Sequence, residues 1–144
     1  MSILGLDVGE KRIGVARSDE LDFMAHTVGL IERHSEEQAG KEIAKLVDEF
    51  QIGKVVVGLP KTMKGTIGTQ AQKILLFIET LSDYVSCPIL TWDERLTTVE
   101  AQKALIAQDV SRSKRKKKID SVAAEIMLQS YLDFIKQKGS DQHV

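Results

Sequence analysis

The sequence predicts an α/β fold: a five-stranded mixed sheet flanked by helices, with elements in the order βββαβαβαα. Three observations support this prediction. Short apolar strands joined by tight turns open the chain, and later apolar strands alternate with amphipathic helices. The length of 144 residues suits one domain, which we expect over residues 1–138. A meander followed by βα units gives a sheet with both antiparallel and parallel pairs.

The first three strands are predicted at residues 2–8, 12–18 and 25–33. The first two are joined by a tight turn at Gly9, a residue type that such turns favour. Because the links between these strands are short, we expect an antiparallel meander.

From residue 35 the apolar residues follow the helical period. Ser35 and Gln38 form a capping-box pattern, which predicts a helix with an apolar face of Ala39, Ile43, Leu46, Val47 and Phe50. The valine-rich run 54–60 predicts a strand covered on both faces, and a further strand is predicted over residues 87–92. Between them a helix over residues 69–81 is predicted to bury Ala71, Ile74, Leu75 and Ile78.

A helix followed by a loop is predicted after the last strand. Thr97 and Glu100 form a second capping-box pattern, which opens a helix that ends near Gln108. Residues 109–118 are polar and basic, which is typical of a loop.

The final helix is predicted to start near Asp120 or Ser121 and to end near Lys136. Its apolar stripe comprises Ala124, Met127, Leu128, Tyr131 and Ile135. We expect residues 139–144 to form a flexible tail.

The composition restricts the classes of function. A net charge of −1 gives no overall attraction to nucleic acid, so such binding has to come from local basic clusters. The single cysteine, Cys87, cannot form an internal disulfide and suits a small buried position in a protein of a reducing compartment. Neither a signal-peptide pattern nor an apolar run near the ~18 residues of a membrane span is evident. We therefore expect a cytoplasmic protein without a membrane partner.

Acidic residues are predicted to collect at one edge of the sheet. Asp7 lies at the end of an apolar strand, where an unpaired carboxylate is costly, and Asp93 and Glu94 directly follow a later strand. Ligand sites gather at the carboxyl ends of parallel strands. Asp120 shares a helix face with the apolar residues Ala123, Ala124 and Met127. We therefore expect these carboxylates to converge.

Such a cluster suits Mg²⁺ or Mn²⁺, which prefer oxygen ligands. Two ions roughly 3.5–4 Å apart can hold the attacking and leaving oxygens of a phosphodiester. Each acid also has a structural explanation. Asp120 can be a helix N-cap, and Asp93 or Glu94 can be a turn residue or a partner of Arg95. Asp7 is the hardest to explain in this way, because aspartate is depleted in strands.

Basic residues lie near these acids in the sequence. The glycine-rich stretch "LPKTMKGTIG" carries Lys61 and Lys64 ahead of a helix, an arrangement that can cradle phosphate. Lys11 and Arg12 lie in the first turn and are expected to contact the nucleic-acid backbone near the same site. The run "RSKRKKK" precedes Asp120 and is predicted to bind a nucleic-acid backbone, the alternative being a solvated loop. Its cations are Arg112, Lys114, Arg115, Lys116, Lys117 and Lys118.

The chain resembles the YqgF/RuvX family of bacterial ribonuclease H-like proteins in four stretches, which occur in the family's order and spacing: "LGLDVGEKRIGVA", "VVVGLPKTMKGTIG", "TWDERLTT" and "IDSVAAEIMLQSYL". The resemblance implies the ribonuclease H-like fold. It implies a magnesium- or manganese-dependent endonuclease that matures the 5′ end of pre-16S ribosomal RNA, with the ribosomal precursor particle as partner. Holliday-junction resolution is the alternative activity that the family suggests.

The resemblance also assigns roles to residues. It implies Asp7, Glu94 and Asp120 as the catalytic metal ligands, with Asp93 as the alternative to Glu94. Arg95 completes the "DER" motif and is expected to contact the substrate. Thr62 stands where the family commonly has asparagine, and its hydroxyl can still donate to a phosphate.

Two functions of other classes remain open at this point. One is a non-catalytic module that binds ribosomal RNA during assembly. The other is an actin-like ATPase, because "DVGEKRIGVA" resembles the first phosphate motif of that class. Such proteins need two lobes, however, and 144 residues supply only one. The chain could be a monomer or a homodimer, and cleavage of both strands of a symmetric junction would require a dimer.

Overall fold

A computed structural model describes residues 1–96 and 112–142 of the chain. The strands are β1 (Ser2–Val8), β2 (Arg12–Ser18), β3 (Ala25–Glu32), β4 (Ile52–Leu59) and β5 (Ile89–Asp93). The helices are α1 (Glu36–Glu49), α2 (Thr69–Leu81) and α3 (Arg112–Gln142), with a short 3₁₀ turn at Glu94–Leu96 after β5. The predicted strands are confirmed to within two residues at each end.

The strands form one mixed sheet in the order β3-β2-β1-β4-β5. Strand β2 is antiparallel to both β1 and β3, whereas β1, β4 and β5 are mutually parallel. The predicted five-stranded mixed sheet is therefore confirmed. Because β1, β4 and β5 point the same way, their carboxyl ends meet at one edge, which we call the carboxyl edge.

Each face of the sheet has its own apolar core. The face covered by α1 and α2 buries Leu4, Leu6, Val15, Val55 and Val57 against Ala39, Ile43, Ile74, Phe77 and Leu81. The face covered by α3 buries Ile3, Ala16, Val56 and Trp92 against Ala123, Ala124, Met127, Leu128 and Leu132. Cys87 packs at the margin of the first core, and its partial burial raises the pKa of its thiol.

Local sequence signals explain how the first two helices begin and which side they bury. The Ser35 hydroxyl accepts from the Gln38 amide at 3.0 Å, and the Gln38 side chain accepts from the Ser35 amide, so the predicted capping box is confirmed. In α2 the prediction that Leu75 is buried is wrong, since that residue is 36% exposed. Phe77 is buried instead, at 1% exposure, on the stripe Ala71, Ile74, Phe77 and Leu81, whose successive spacings are three, three and four residues.

Helix α3 is longer than predicted at both ends. It begins at Arg112, so the prediction of a loop over residues 112–118 is wrong, and it continues to Gln142 instead of ending near Lys136. Lysine and arginine are good helix formers, and neither glycine nor proline interrupts residues 112–138. Asp120 lies inside this helix, which excludes the N-cap interpretation. The helix predicted over residues 97–108 lies outside the described residues.

A close approach between β1 and α3 holds the second core together. A Cβ atom on Gly5 would lie 2.9 Å from the Cβ of Leu128, so only glycine lets the helix pack at this depth. At the β3 end, the Thr27 hydroxyl donates to Glu125 at 2.6 Å and the Ala25 amide donates to Gln129 at 2.9 Å. Within the described part of the chain, no helix combines the length and apolar character that a membrane crossing requires.

Replacing Leu128 with alanine should lower the free energy of unfolding by about 2–5 kcal/mol, because it removes a fully buried side chain and leaves a cavity under α3. The matched control is Leu76→Ala on α2, where the leucine is 61% exposed and the expected change is within about 0.5 kcal/mol. Urea unfolding followed by circular dichroism measures both. Equal losses would show that α3 does not pack on the sheet in this way.

Candidate active site

Asp7 lies near the carboxyl end of the central strand. It is half-buried and shares the α3 face with Ile3 and Gly5, because side chains alternate along a strand. Its register partner on β2 is Gly14, and the last β1–β4 register pair, Leu6 with Val57, directly precedes Asp7 and Gly58 along the two strands. The residues at this level on the two neighbouring strands, Gly14 and Gly58, are therefore both glycines.

Glu94 lies on the same face. Its carboxylate fills the place that a Cβ atom on Gly58 would occupy. Neighbouring strands lie about 4.8 Å apart, so the Glu94 carboxylate rests on the strand directly beside that of Asp7. Gly58 directly precedes the glycine-rich stretch that was predicted to cradle phosphate, and its contact with Glu94 was not predicted. The available signal was a lone glycine inside an apolar strand, which often marks a close approach by another group.

Asp93 is oriented differently and is engaged by Arg95. Its register partner is Leu59, which belongs to the core under α1 and α2. The Arg95 Nη2 donates to Asp93 Oδ2 at 2.6 Å, and the Arg95 Nε and main-chain amide donate to Oδ1 at 3.1 and 3.0 Å. Hydrogen bonds from the Arg95 side chain lower the pKa of the Asp93 carboxyl below its usual range. The same pairing raises the pKa of the Arg95 guanidinium.

The backbone of α3 directs Asp120 toward the same edge. Leu128 packs on Gly5, and Tyr131, one turn later, lies 5.2 Å from the ammonium of Lys54 near the start of β4. Toward its N-terminus, from Tyr131 to Leu128 and beyond, helix α3 therefore approaches the carboxyl edge. Asp120 precedes Leu128 by eight residues, or about 12 Å along the helix axis.

The described side chains do not by themselves complete a metal site. Among them, no three carboxylate, histidine or cysteine groups are gathered closely enough to hold a metal ion. Asp7 and Glu94 share a face, whereas the carboxylate of Asp120 lies outside the described side chains. Its convergence with the other two acids therefore stays a prediction.

The loop after β4, residues 60–68, is braced by its own hydrogen bonds. The Thr62 hydroxyl lies 2.5 Å from the Thr66 hydroxyl and accepts from the Thr66 amide at 3.2 Å. The Gly65 amide donates to the Thr62 carbonyl at 2.8 Å. Thr62, which was predicted to contact phosphate, thus uses its hydroxyl within the loop.

Arg95 also contacts this loop. Gly65 has a φ of 82°, and a Cβ atom on it would lie 3.1 Å from Arg95 Nη1. The guanidinium is therefore placed between Asp93 and the loop that carries Lys61 and Lys64. Lys61 also acts on Asp93, where its charge adds a smaller contribution to the lowered pKa.

The β1–β2 turn is fixed by Arg33, a residue for which the sequence predicted no role. Arg33 Nη1 donates to the Gly9 carbonyl at 2.6 Å, and the Arg33 amide donates to the Lys11 carbonyl at 2.8 Å. Lys11 is exposed on this turn, whereas Arg12 is the first residue of β2 and pairs with Glu32 at 3.3 Å. Of these two predicted phosphate contacts, Lys11 is the more accessible.

A cleft of about 670 Å³ opens beside this turn, on the α1 and α2 side of the sheet. Its lining includes Val8, Glu10, Arg33, Lys73 and Ile74, and none of the predicted acidic ligands. Because Asp7 and Glu94 lie on the opposite face, the cleft is separate from the candidate site.

The basic run at the start of α3 was predicted to bind a nucleic-acid backbone. Its backbone is helical, and its side chains lie outside the described ones. This part of the prediction is therefore untested.

Comparison with known proteins identifies relatives along almost the whole chain. The family model described as "RuvX: Holliday junction resolvase" matches residues 1–134. Relatives named "Putative pre-16S rRNA nuclease" occur in Desulforamulus reducens, Thermoanaerobacter pseudethanolicus and Clostridium acetobutylicum, each 50% identical to this chain. The alignments cover 92%, 96% and 94% of this chain and 97%, 100% and 100% of the respective relatives.

Solved structures share the fold at low sequence identity. Thermus thermophilus RuvC in complex with a Holliday junction substrate matches with a TM-score of 0.55 and 12% identity, over 92% of this chain and 94% of that one. The fowlpox virus resolvase in complex with Holliday junction DNA matches with a TM-score of 0.54 and 13% identity, over 94% and 99%. These similarities confirm the predicted ribonuclease H-like fold.

Arg95→Gln should raise the pKa of the Asp93 carboxyl toward the ordinary aspartate value of about 3.9, because the hydrogen bonds that favour the carboxylate are lost. Carboxyl-carbon NMR titration measures this pKa. In the native protein, the pair stabilises the fold above the ordinary pKa, and this contribution is lost as pH falls through the lowered pKa. Arg12→Gln, which removes the partner of Glu32, is the control and should leave Asp93 unchanged. An unaltered Asp93 titration in Arg95→Gln would contradict the pairing.

Proposed function

The chain belongs to the RuvX family, and from this premise we propose that it is a metal-dependent endonuclease that hydrolyses a phosphodiester bond at the 5′ end of pre-16S ribosomal RNA. The observation that carries the proposal is the placement of Asp7 and Glu94. They lie on one face of the sheet at the carboxyl edge, with glycines beside Asp7 and the Glu94 carboxylate seated against Gly58. A half-buried acid near the end of a covered strand, with a second carboxylate lying on the neighbouring strand, suits metal binding better than it suits apolar packing.

The donor chemistry of this position fits magnesium or manganese. Asp7 and Glu94 offer carboxylate oxygens, the ligand type that these ions prefer, and the absence of a side chain on Gly58 gives Glu94 its place. We propose Asp120 as the third ligand, since its helix runs to this edge. When bound, a pair of such ions activates water and stabilises the charge on the phosphodiester oxygens. Asp93 is the weaker candidate ligand because Arg95 engages both of its oxygens.

The basic residues of the site are proposed to hold the substrate backbone. Lys61 and Lys64 lie on the braced loop beside the carboxyl edge, and Lys11 is exposed on the adjoining turn. Arg95 acts mainly by positioning, since it ties Asp93 to Gly65. The cations of residues 112–118 precede Asp120 on α3 and would add further phosphate contacts. Such contacts give an affinity that falls with salt and does not depend on base sequence.

The choice of ribosomal RNA as substrate rests on the names of the relatives that are 50% identical to this chain. A second candidate is resolution of branched DNA, which the description of the family model favours. The two activities use the same hydrolytic chemistry and differ in the nucleic acid that the surface accepts. Direct comparison of the two substrates is therefore the decisive experiment.

Purified protein should cleave a labelled pre-16S leader RNA in the presence of Mg²⁺ or Mn²⁺ and should lose this activity when the metal is chelated. Asp7→Asn should lower the cleavage rate by about 100-fold or more while the protein stays folded, because it removes the central carboxylate. The matched control is Asp83→Asn, an exposed aspartate after α2 at the other end of β5, which should cut at the native rate.

The same assay with a labelled four-way DNA junction separates the alternatives. Cleavage of the junction alone would replace the ribosomal proposal with the resolvase. Salt-sensitive binding of either substrate without cleavage would instead support a non-catalytic assembly factor and refute the nuclease.

Glu94→Gln and Asp93→Asn should differ although the two residues are adjacent. Glu94→Gln is expected to lower kcat by about 100-fold or more, since it removes a proposed ligand. Asp93→Asn should lower kcat/KM by about tenfold or less, mainly by raising KM, because Asp93 positions Arg95 and the loop. Steady-state cleavage kinetics with the leader RNA measure both. The reverse ranking would make Asp93 the ligand.

A further inference from the structure

Met63 stands almost entirely in solvent at the tip of loop 60–68. Its side chain is 98% exposed, although burying a methionine side chain is worth about 1.5–3 kcal/mol. Single exposed apolar residues are common on protein surfaces and need no explanation by themselves. The position of this one, however, combines three further features.

The first feature is rigidity of the loop beneath it. Thr62 and Thr66 are joined through both main-chain and hydroxyl contacts, and the Gly65 amide returns to the Thr62 carbonyl at 2.8 Å. The Arg95 guanidinium packs against Gly65 from below. Met63 is thus carried on a braced turn that can hold an apolar group against an ordered partner.

The second feature is charge. Lys61 and Lys64 stand on either side of Met63 in the sequence, and the Arg95 guanidinium lies against the same loop. An apolar tip between cations is complementary to nucleic acid, in which phosphates surround the apolar faces of stacked bases. A protein surface that was apolar alone would lack this charge pattern.

The third feature is location. The loop leaves β4 directly after Gly58 and Leu59, and the Glu94 carboxylate lies against Gly58. Arg95, which contacts the loop, is the next residue after Glu94. The loop therefore leaves the sheet at the same edge at which the proposed ligands Asp7 and Glu94 lie.

We propose that Met63 is a wedge that inserts between neighbouring bases beside the scissile phosphate and opens the base stack. Apolar side chains that enter base steps unstack them, and a methionine thioether is flexible and polarisable enough to pack on any base. Lys61 and Lys64 hold the flanking phosphates while Met63 enters the stack. This inference rests on the proposed nuclease function and adds that the enzyme acts on a locally opened duplex.

The unstacking is tested with a hairpin RNA of the pre-16S leader that carries 2-aminopurine at successive positions around the cleavage site. The Asp7→Asn background prevents cleavage, and fluorescence anisotropy measures binding. The complex should raise 2-aminopurine emission about threefold or more at one or two positions, as unstacking predicts. Adding Met63→Ala should abolish this rise while the salt dependence of binding stays the same, since the lysines remain. Met63→Leu, which keeps the apolar volume, should retain the rise.

Cleavage provides a second readout. In the otherwise native protein, Met63→Ala should cut a fully paired hairpin about tenfold more slowly, because opening a base step costs a few kcal/mol. A mismatch at the same step should reduce this defect to about twofold, since the step is already open.

The outcomes separate the wedge from the nuclease. Binding and cleavage by the native protein without any rise in emission, or an equal rise with Met63→Ala, would overturn the wedge and leave the nuclease proposal standing. Failure of the native protein to bind or cleave the RNA would overturn both. Loss of self-association in Met63→Ala with unchanged emission would show that the tip contacts a second copy instead.

Discussion

The central strand β1 is covered on both faces, and this constraint governs the rest of the structure. Leu4 and Leu6 are fully buried under α1 and α2, while Ile3 and Gly5 are buried under α3. A charged side chain within this strand can therefore be tolerated only close to its end. Asp7 occupies that place, and the carboxyl ends of the parallel strands β4 and β5 meet it there.

Glycine residues determine how closely other groups can approach the α3 face of the sheet. Gly5 lets α3 pack closely through Leu128, whereas Gly58 leaves room for the Glu94 carboxylate and Gly14 is the register partner of Asp7. The lack of a side chain in glycine thus allows close helix packing at Gly5 and makes room for the candidate site one level further along the sheet. Along β1, the buried Gly5 of the core and Asp7 of the candidate site are only two positions apart.

Much of this arrangement could be predicted from the sequence, because strand periodicity and capping signals are local. The bounds of β1, β2 and α2 agree with the predictions. The choice between Asp93 and Glu94 could not be made in this way. It depends on where β5 gives way to the 3₁₀ turn and on the contact with Gly58, which lies more than thirty residues away. The basic residues 112–118 were mistaken for a loop because their polarity suggested solvent, although their helix propensity is high.

The contact between Arg95 and Gly65 has a consequence for how such sequences can diverge. Any side chain at position 65 would have both an unfavourable φ of 82° and an arginine in its way. The loop and the acidic motif are therefore structurally coupled, so that a change at position 65 or at position 95 should disturb the other. A loop transplanted into another scaffold without its arginine would lose the support for its conformation.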